Sequence, residues 1–362
     1  MFLRAETDFG LKLLNTLPVQ NESLAFSPLS IALVLSLVHT GARGKSKDQI
    51  EDVLLNGASD DQFVNHFSFL SESLKNSESG AEVYVANRVY LKRGFTANPT
   101  FLSVALKNYG ADAQTLDFTT LTAARKINTF VAEATKGKIT ETVNRDFIKN
   151  SVTLLINALY FKADWYDDFD PFSVVDQDFT TYSGAKKSLK FIRDSMSDRH
   201  YSSDDVFQVL QLPYKNENYK FIIFLPKQRN TLSNSLAKMD SRRFQFLLNN
   251  ATRIHLNTQF PKFKEETKLD IKRNLEALGI TEIFTDSANL AGLADNIKIS
   301  DVVHKTIIEV DEKGTTAAAV SMPKMVPMSG RIDEPTNFIA DHPFLYSLTY
   351  LNHPLFLGVF HG

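Results

Sequence analysis

The sequence predicts an α+β fold, in which helices fill the first part of the chain and strands fill the rest. Apolar residues recur at helical spacing through roughly the first 140 residues, whereas runs rich in β-branched and aromatic residues dominate afterwards. The two patterns do not alternate regularly, which argues against a parallel α/β sheet. No Gly-, Ser- or Pro-rich linker divides the 362 residues, so we expect a single domain over 1–362.

The helical signals begin at the N-terminus. Apolar side chains at near-helical spacing predict a first helix over 5–17, ended by Pro18. Ser27 before Pro28 is a typical helix start, and the almost continuous apolar run up to Val38 predicts a buried helix. Further helices are predicted at 62–76, 101–109, 123–135 and 270–279.

The strand signals are strongest in the second half of the chain. The segment 151–161 is nearly all apolar, which predicts a central strand covered on both faces of its sheet. The runs at 206–214 and 219–227 are typical of a hairpin. Further strands are predicted at 83–91, 253–263 and 304–312, and two more end the chain across a short Asn-His-Pro turn.

The composition argues against several classes of protein. A net charge of -2 is not that of a protein built to bind nucleic acid or anionic membrane. The absence of cysteine excludes disulfides, thiolate metal sites and cysteine nucleophiles. No apolar run approaches the roughly 20 residues that a membrane span requires. Acidic residues at positions 6 and 8 stand where a signal peptide needs an apolar core, so we expect a cytoplasmic location.

No set of residues makes a convincing active site, so an enzyme is not predicted, and neither a cofactor nor a metal is expected. GARGKS at 41–46 is similar to the tail of a phosphate-binding loop. His39, however, stands where the first glycine is required, and the motif closes a helix where it should open one. The eight histidines are scattered, and we interpret them as surface or hydrogen-bonded core residues. A GxSxG motif is also missing.

Nine short segments that follow one another in the family's order resemble the serpin family over essentially the whole chain. They are FSPLSI (26–31), GARGKSKDQI (41–50), VANRVYL (85–91), INTFVAEATKGKI (127–139), LLINALYFKADW (154–165), FPKF (260–263), EKGTTAAA (312–319), ADHPFLY (340–346) and FLGVF (356–360). The start directly at the first helix is similar to the ovalbumin-type, intracellular branch of that family.

The resemblance implies a fold of about nine helices around three β-sheets, with a large five-stranded sheet A and an exposed reactive centre loop with its hinge at 312–341. It also implies suicide-substrate inhibition of serine proteases. The protease forms an acyl-enzyme with the loop and is trapped when the cleaved loop inserts into sheet A of a metastable fold. The implied partner is a target serine protease in a covalent complex. We expect a monomer that needs no heparin-type cofactor. A non-inhibitory chaperone, storage or carrier protein and a cross-class inhibitor of cysteine proteases are the alternatives.

The start of the loop matches the proximal hinge of inhibitory serpins, because an inserting strand cannot carry bulk or unpaired charge on its inward face. The hinge residues are Glu312, Gly314, Thr315, Thr316, Ala317, Ala318 and Ala319. A period of two places on the inward face Thr315, Ala317, Ala319, Ser321, Pro323 and Met325. Because Pro323 has no N–H to donate, it would slow insertion and favour cleavage of the loop as a substrate.

Counted from Glu312, the family pattern places the scissile bond between Met328 and Ser329. The preceding subsite residues are Met325, Val326 and Pro327. An unbranched apolar methionine suits the primary pocket of chymotrypsin-like or elastase-like proteases. The spacing to the downstream HPF motif is longer than usual in the family, so a cut at Arg331 by a trypsin-like protease or at Asp333 by an aspartate-specific protease is an alternative.

Two supporting groups also match family motifs. A sheet-opening cluster beneath the centre of sheet A would comprise Ser27, Ser30, Asn157 and His304, and its hydrogen bonds could favour either the closed or the expanded sheet. At the top of the sheet, where the loop would first insert, the resemblance places Trp165, Lys262 and Glu312. A Lys262–Glu312 ion pair would restrain premature insertion, or would be an exposed pair worth less than ~1 kcal/mol.

Overall fold

The computed structural model describes residues 2–20, 22–55, 57–75, 80–315 and 334–362. The helices are α1 (Phe2–Leu14), α2 (Pro28–Gly41), α3 (Lys45–Leu54), α4 (Asp60–Lys75), α5 (Pro99–Val104), α6 (Leu121–Ala134), α7 (Arg145–Ile148), α8 (Leu232–Leu236), α9 (Ser241–Asn249) and α10 (Lys272–Ala277). The strands are β1 (Leu24–Phe26), β2 (Ala81–Lys92), β3 (Asp112–Leu116), β4 (Thr153–Asp164), β5 (Val175–Thr180), β6 (Lys186–Ser203), β7 (Phe207–Pro213), β8 (Tyr219–Pro226), β9 (Thr252–Pro261), β10 (Phe263–Asp270), β11 (Asp301–Val310), β12 (Gly314–Thr315), β13 (Thr336–Ile339), β14 (Phe344–Tyr350) and β15 (His353–Phe360). The predicted α+β class is confirmed.

Sheet A has the strand order β10-β11-β4-β2-β3, and the two-residue β12 is added at the end of β4. Its central strand is β4, which pairs antiparallel with β2 and parallel with β11. Every residue of β4 from Thr153 to Phe161 is buried. This agrees with the all-apolar pattern, since a strand covered on both faces needs no alternation.

The second sheet has the order β1-β15-β14-β8-β7-β6-β9-β13, with β5 also paired to β6. The first part of β6 pairs with β5 and its last part with β7, whereas β9 pairs with it on both sides of a bulge between Asp194 and Ser197. The two smaller sheets that the resemblance implies are therefore continuous here through β6 and β9. The hairpin predicted at 206–227 is confirmed as β7 and β8.

Helix α2 lies between the two sheets and contacts β15 on one side and β4 on the other. Its N-cap is Ser27, whose Oγ accepts a hydrogen bond of 3.1 Å from the backbone N–H of Ser30, and Pro28 occupies the first turn. The helix is apolar all round because it is enclosed by sheets and helices. It brings the N-terminal serines of α2 beneath the centre of sheet A.

The predicted helices differ from those in the structure by a few residues at their ends, and two of these differences have a clear cause. The first helix ends at Leu14 and not at Leu17, because Leu17 lies in a turn closed by its N–H to the carbonyl of Leu14. The buried side chain of Leu17 continues the helical spacing into that turn. The segment predicted at 101–109 is α5, which starts at Pro99, followed by a π-helical turn over Ala105–Tyr109. No helix in the described ranges is long and apolar enough to cross a membrane.

Candidate functional site

Strands β11 and β4 pair with each other in the lower part of sheet A, and their pairing ends before the top of the sheet. Their parallel pairing runs from Asp301 opposite Leu154 to Ile307 opposite Tyr160, and the register ends there. Above that point, β12 pairs antiparallel with the last residues of β4. Because β12 follows β11 after one tight turn, the chain already begins a new strand between β11 and β4.

A polar cluster lies beneath the paired part of these strands, in an otherwise apolar interior. We call it the central polar cluster, and it comprises Ser27, Ser30, Asn87, Asn157 and His304. Four of the five have no exposed surface, and Asn87 is half-buried. The structure therefore brings together all four residues that the resemblance assigns to sheet opening.

The hydrogen bonds of the central polar cluster fix each side chain. His304 Nε2 accepts the backbone N–H of Ser27 at 2.9 Å, so Nδ1 carries the proton and donates it to Asn157 Oδ1. Asn157 Nδ2 donates to the carbonyl of Ser30 at 3.2 Å and to Asn87 Oδ1 at 2.5 Å, and it also contacts Ser30 Oγ. These bonds join three adjacent strands of sheet A to the N-terminus of α2.

The state of His304 follows from its burial. Complete burial lowers the pKa of His304 to about 3, because the imidazolium would lose its hydration. The ring is therefore neutral near pH 7 and can accept the Ser27 N–H. His304 lies opposite Asn157 in the β11–β4 register, so separating these two strands breaks the bond between their side chains.

Asn87 belongs to the central polar cluster, although its sequence context does not predict this. It lies on β2, directly opposite Asn157 in the antiparallel register. The prediction of a strand at 83–91 is confirmed, but nothing in that strand's pattern indicates a partner on β4. An asparagine inside a strand of β-branched and aromatic residues is itself a signal, because asparagine is depleted in strands.

Strand β1 ties sheet A to the second sheet beside this cluster. The backbone N–H of Ala25 donates to Thr267 Oγ1 at 3.0 Å, and Thr306 Oγ1 donates to the carbonyl of Ala25 at 2.9 Å. Thr267 and Thr306 are opposite each other on β10 and β11, and β1 itself pairs with β15. The β10–β11 pair is thereby held to the body of the molecule.

The turn from Asp311 to Gly314 forms the top of sheet A. The N–H of Asp311 donates to the carbonyl of Gly314 at 2.9 Å. Trp165 Nε1–H donates to the carbonyl of Asp311 at 2.9 Å, and the N–H of Phe169 donates to the carbonyl of Glu312 at 3.3 Å. The single tryptophan of the chain therefore lies directly against the point where the hinge turns downward.

Lys262 and Glu312 form the ion pair that the resemblance implies. Their side chains are 30% and 15% exposed, so the pair is half-buried and not fully solvated. Burial acts to raise the pKa of Glu312, but the hydrogen bond and the charge of Lys262 outweigh it, and the pKa is lowered. Trp165, Lys262 and Glu312 are thus placed together at the top of sheet A.

Gly314 occupies a position that no other residue fits without a shift of the backbone. Its φ is +132°, and a Cβ built there would lie 2.2 Å from the carbonyl oxygen of Ala163 and 2.7 Å from Cα of Asp164. The hinge therefore approaches the backbone of β4 as closely as adjacent strands allow, and only glycine permits this approach.

The central part of the loop lies outside the described residues. This applies to Thr316, Ala317, Ala318, Ala319, Ser321, Pro323, Met325, Val326, Pro327, Met328, Ser329, Arg331 and Asp333. The chain is described again from Glu334, and β13 pairs in parallel with β9. Just beyond β13, an ion pair joins Arg229 to Asp341, and His342 Nε2 donates to the carbonyl of Pro226 at 2.8 Å. Both ends of the loop are therefore fixed to sheets.

Comparison with known proteins agrees with this geometry. The chain matches the model of one protein family, described as serpin (serine protease inhibitor), over residues 4–361. The chain belongs to the serpin family. Leukocyte elastase inhibitor of Xenopus laevis is 33% identical to this serpin over 339 residues, with 91% of this chain and 89% of the relative covered. Human neuroserpin is 32% identical over 346 residues, with 90% and 82% covered.

The fold of this serpin is also found among solved structures. The crystal structure of tengpin, a thermophilic serpin in the native state, superposes with a TM-score of 0.92 at 27% identity, covering 100% of this chain and 94% of that one. The prediction of a serpin fold is thereby confirmed. Family membership supports inhibition of serine proteases in general, and it agrees with the expectation that the partner of this serpin is a protease.

Proposed function

We propose that this serpin is a suicide-substrate inhibitor of chymotrypsin-like or elastase-like serine proteases. The serine hydroxyl of the protease attacks the carbonyl carbon of Met328, the bond to Ser329 breaks, and the new amine of Ser329 leaves after accepting a proton from the protease. The acyl group of Met328 is then esterified to the protease. Insertion of the chain that follows Gly314 into sheet A carries the ester-linked protease away before water hydrolyses it.

The observation that supports this proposal is the position of the hinge. Gly314 and Thr315 already pair with Asp164 and Ala163 of β4, next to the end of β11. Residues that continue in the same direction would form a strand antiparallel to β4, and the sequence there carries only small uncharged side chains from Thr315 to Ala319. The new strand would start from an existing pairing, so it needs no separate nucleation.

The central polar cluster would then control when insertion proceeds. It is formed with β11 and β4 paired, and the His304–Asn157 bond crosses the line along which they must separate. We therefore infer that the cluster favours the closed sheet. The Lys262–Glu312 pair would add a smaller restraint at the top, because a half-buried pair of this kind contributes on the order of 1 kcal/mol.

The choice of target rests on Met328 and on the relatives. Methionine offers an apolar side chain of moderate length and no charge for the carboxylate of a trypsin-like pocket. One curated relative is named leukocyte elastase inhibitor, which favours a target of the elastase type. The alternatives to cleavage after Met328 are cleavage after Arg331 by a trypsin-like protease and cleavage after Asp333 by an aspartate-specific protease.

Two arginine substitutions at neighbouring alanines test the proposal. Ala317→Arg places a charge on the inward face of the inserting strand, whereas Ala318→Arg places the same charge on the outward face. We expect Ala317→Arg to be cleaved by chymotrypsin as a substrate, with a stoichiometry of inhibition at least tenfold above that of the wild type, because burying an unpaired charge opposes insertion. Ala318→Arg should inhibit as the wild type does.

Equal behaviour of the two variants would contradict strand insertion. A wild-type protein that is cut by chymotrypsin, elastase and trypsin without retaining any of them would favour a non-inhibitory serpin. A papain-like protease assayed in parallel measures the cross-class activity.

The monomeric state, the absence of a heparin-type cofactor and the cytoplasmic location stay predictions. Size-exclusion chromatography, inhibition rates with and without heparin, and cell fractionation measure these three properties.

A further inference from the structure

A buried carboxylate and two imidazole rings meet on the side of the molecule formed by α1, α4 and the β14–β15 turn. The two carboxylate oxygens of Glu6 contact different histidines. His66 Nε2 lies 2.5 Å from Glu6 Oε1, and His353 Nδ1 contacts Glu6 Oε2. One oxygen of Glu6 and one nitrogen of each histidine all lie within 4.8 Å of one another. This spacing is small enough for one ion to bind all three groups.

Neighbouring contacts hold the ring of His66 and the two elements that carry Glu6 and His353. The ring of Phe2 stacks on His66 with centroids 4.2 Å apart. Gln245 Nε2 donates to Thr7 Oγ1 at 2.9 Å and to the carbonyl of Asn352 at 3.2 Å. Thr7 follows Glu6 in α1, and Asn352 precedes His353 in the turn, so this one amide fixes the two elements relative to each other. The donor groups are therefore arranged before any ligand binds.

The cluster contains a carboxylate that lacks a cationic partner of fixed charge. Glu6 is 1% exposed, and no lysine or arginine forms an ion pair with it in the described part of the chain. A carboxylate removed from water is costly unless a cation compensates it. The two histidine side chains are 17% and 13% exposed, so a small ion can reach the cluster from solvent.

In a second group of similar residues, a lysine already compensates the charge of the carboxylates. His39 Nε2 lies 2.9 Å from Glu51 Oε1 and 3.8 Å from Asp60 Oδ1. There, Lys47 Nζ contacts Asp60 and lies 3.3 Å from Glu51 Oε1. The ammonium group neutralises these carboxylates and repels a further cation, so we propose no metal site at this second group.

We propose that Glu6, His66 and His353 form a binding site for a divalent transition-metal ion of the Zn²⁺ class. Two imidazole nitrogens and one carboxylate are a donor set that Zn²⁺ takes, with a water molecule at the fourth position of a tetrahedral site. On binding, His66 Nε2 and His353 Nδ1 each present a lone pair to the ion. The proton that each nitrogen carried moves to the other ring nitrogen or to solvent.

The ion would link three elements that are far apart in the sequence. Glu6 belongs to α1, His66 to α4, and His353 to the first position of β15. None of the three elements carries a residue of the hinge or of the central polar cluster. The metal would therefore stabilise the folded serpin independently of the proposed inhibitor function.

Calorimetric titration of the metal-free protein with Zn²⁺ tests the proposal. We expect one strong site per chain in the wild type, with the affinity at least tenfold weaker in His66→Gln and in His353→Gln. His39→Gln removes a histidine from the compensated cluster and should leave the affinity unchanged. Melting curves in the presence of chelator establish that each variant is folded, and Zn²⁺ should raise the Tm of the wild type and of His39→Gln only.

Titration of the wild type with Co²⁺ gives a second readout that needs no variant. A tetrahedral site of two nitrogens and one carboxylate should produce visible absorption bands that saturate at one equivalent and disappear when Zn²⁺ is added. The absence of a stoichiometric site for either metal would overturn the proposal. A loss of Zn²⁺ affinity in His39→Gln as large as that in His66→Gln and His353→Gln would also overturn the proposal.

Discussion

Replacing Asn157 by alanine should destabilise the closed sheet more than any other single truncation in the central polar cluster. The side chain is fully buried and binds His304, Ser30 and Asn87. Each of about three hydrogen bonds contributes roughly 1 kcal/mol. The truncation also leaves the Nδ1–H of His304 buried without an acceptor. We therefore expect a loss of stability on the order of 3 to 4 kcal/mol.

Urea unfolding followed by circular dichroism measures this loss, and Asn337→Ala is the matched control. Asn337 is exposed, and its Oδ1 accepts one hydrogen bond of 3.0 Å from Asn257 Nδ2. Its truncation should cost less than about 0.5 kcal/mol. Because the bond to His304 spans β4 and β11, Asn157→Ala should also polymerise faster on mild heating. A stability loss for Asn157→Ala as small as that of the control would refute the proposed role of the cluster.

Three further predictions follow from the same geometry. The pKa of His304 is lowered to about 3, whereas an unfolded histidine titrates near 6.5, so the unfolded chain binds this proton at a higher pH than the folded protein does. His304 alone should therefore lower the stability by about 1.4 kcal/mol per pH unit below about pH 6. Burial also lowers the pKa of His39, His200 and His361, which add to the fall, so the drop in urea midpoint from pH 7 to pH 5 should be smaller in His304→Gln than in the wild type. Gly314→Ala should detach the hinge from β4 and lower the free energy of unfolding by about 1 to 2 kcal/mol, which is the contribution of two hydrogen bonds between the strands. Backbone amides near Ala163 should then exchange their hydrogens faster in this variant than in the wild type. The fluorescence emission of Trp165 should shift when the loop is cleaved and inserts, because its indole N–H donates to the carbonyl of Asp311. An unchanged emission spectrum on insertion would contradict this prediction. The same shift in the cleaved Ala317→Arg variant would contradict it as well.

Local sequence patterns predicted the elements in which a single physical cause dominates. Ser27 and Pro28 start α2 because a side-chain cap and a fixed φ both favour that position. The all-apolar β4 is central because both of its faces are covered. The family resemblance then placed Asn157 and His304 in one cluster, although they are 147 positions apart.

Other features depend on contacts that no local pattern reports. Strand β6 has 18 residues with several charges and no regular alternation, because its first part pairs with β5 and its last part with β7, while β9 pairs with it on both sides of a bulge. The scattered positions of the histidines in the sequence predict only surface or hydrogen-bonded core residues. In the structure, Glu6 lies against His66, which is 60 positions away, and against His353, which is 347 positions away. Only the tertiary fold brings these three residues together.

The central claim is that the cleaved loop inserts and traps its protease, and one gel experiment tests it most directly. The protein is mixed separately with chymotrypsin, elastase and trypsin, and the products are analysed by denaturing electrophoresis and by mass spectrometry of the released C-terminal peptide. We predict a complex with chymotrypsin or elastase that survives boiling in detergent, together with a peptide that begins at Ser329. The absence of such a complex with all three proteases would contradict the inhibitor mechanism, and a peptide that begins elsewhere would contradict cleavage after Met328.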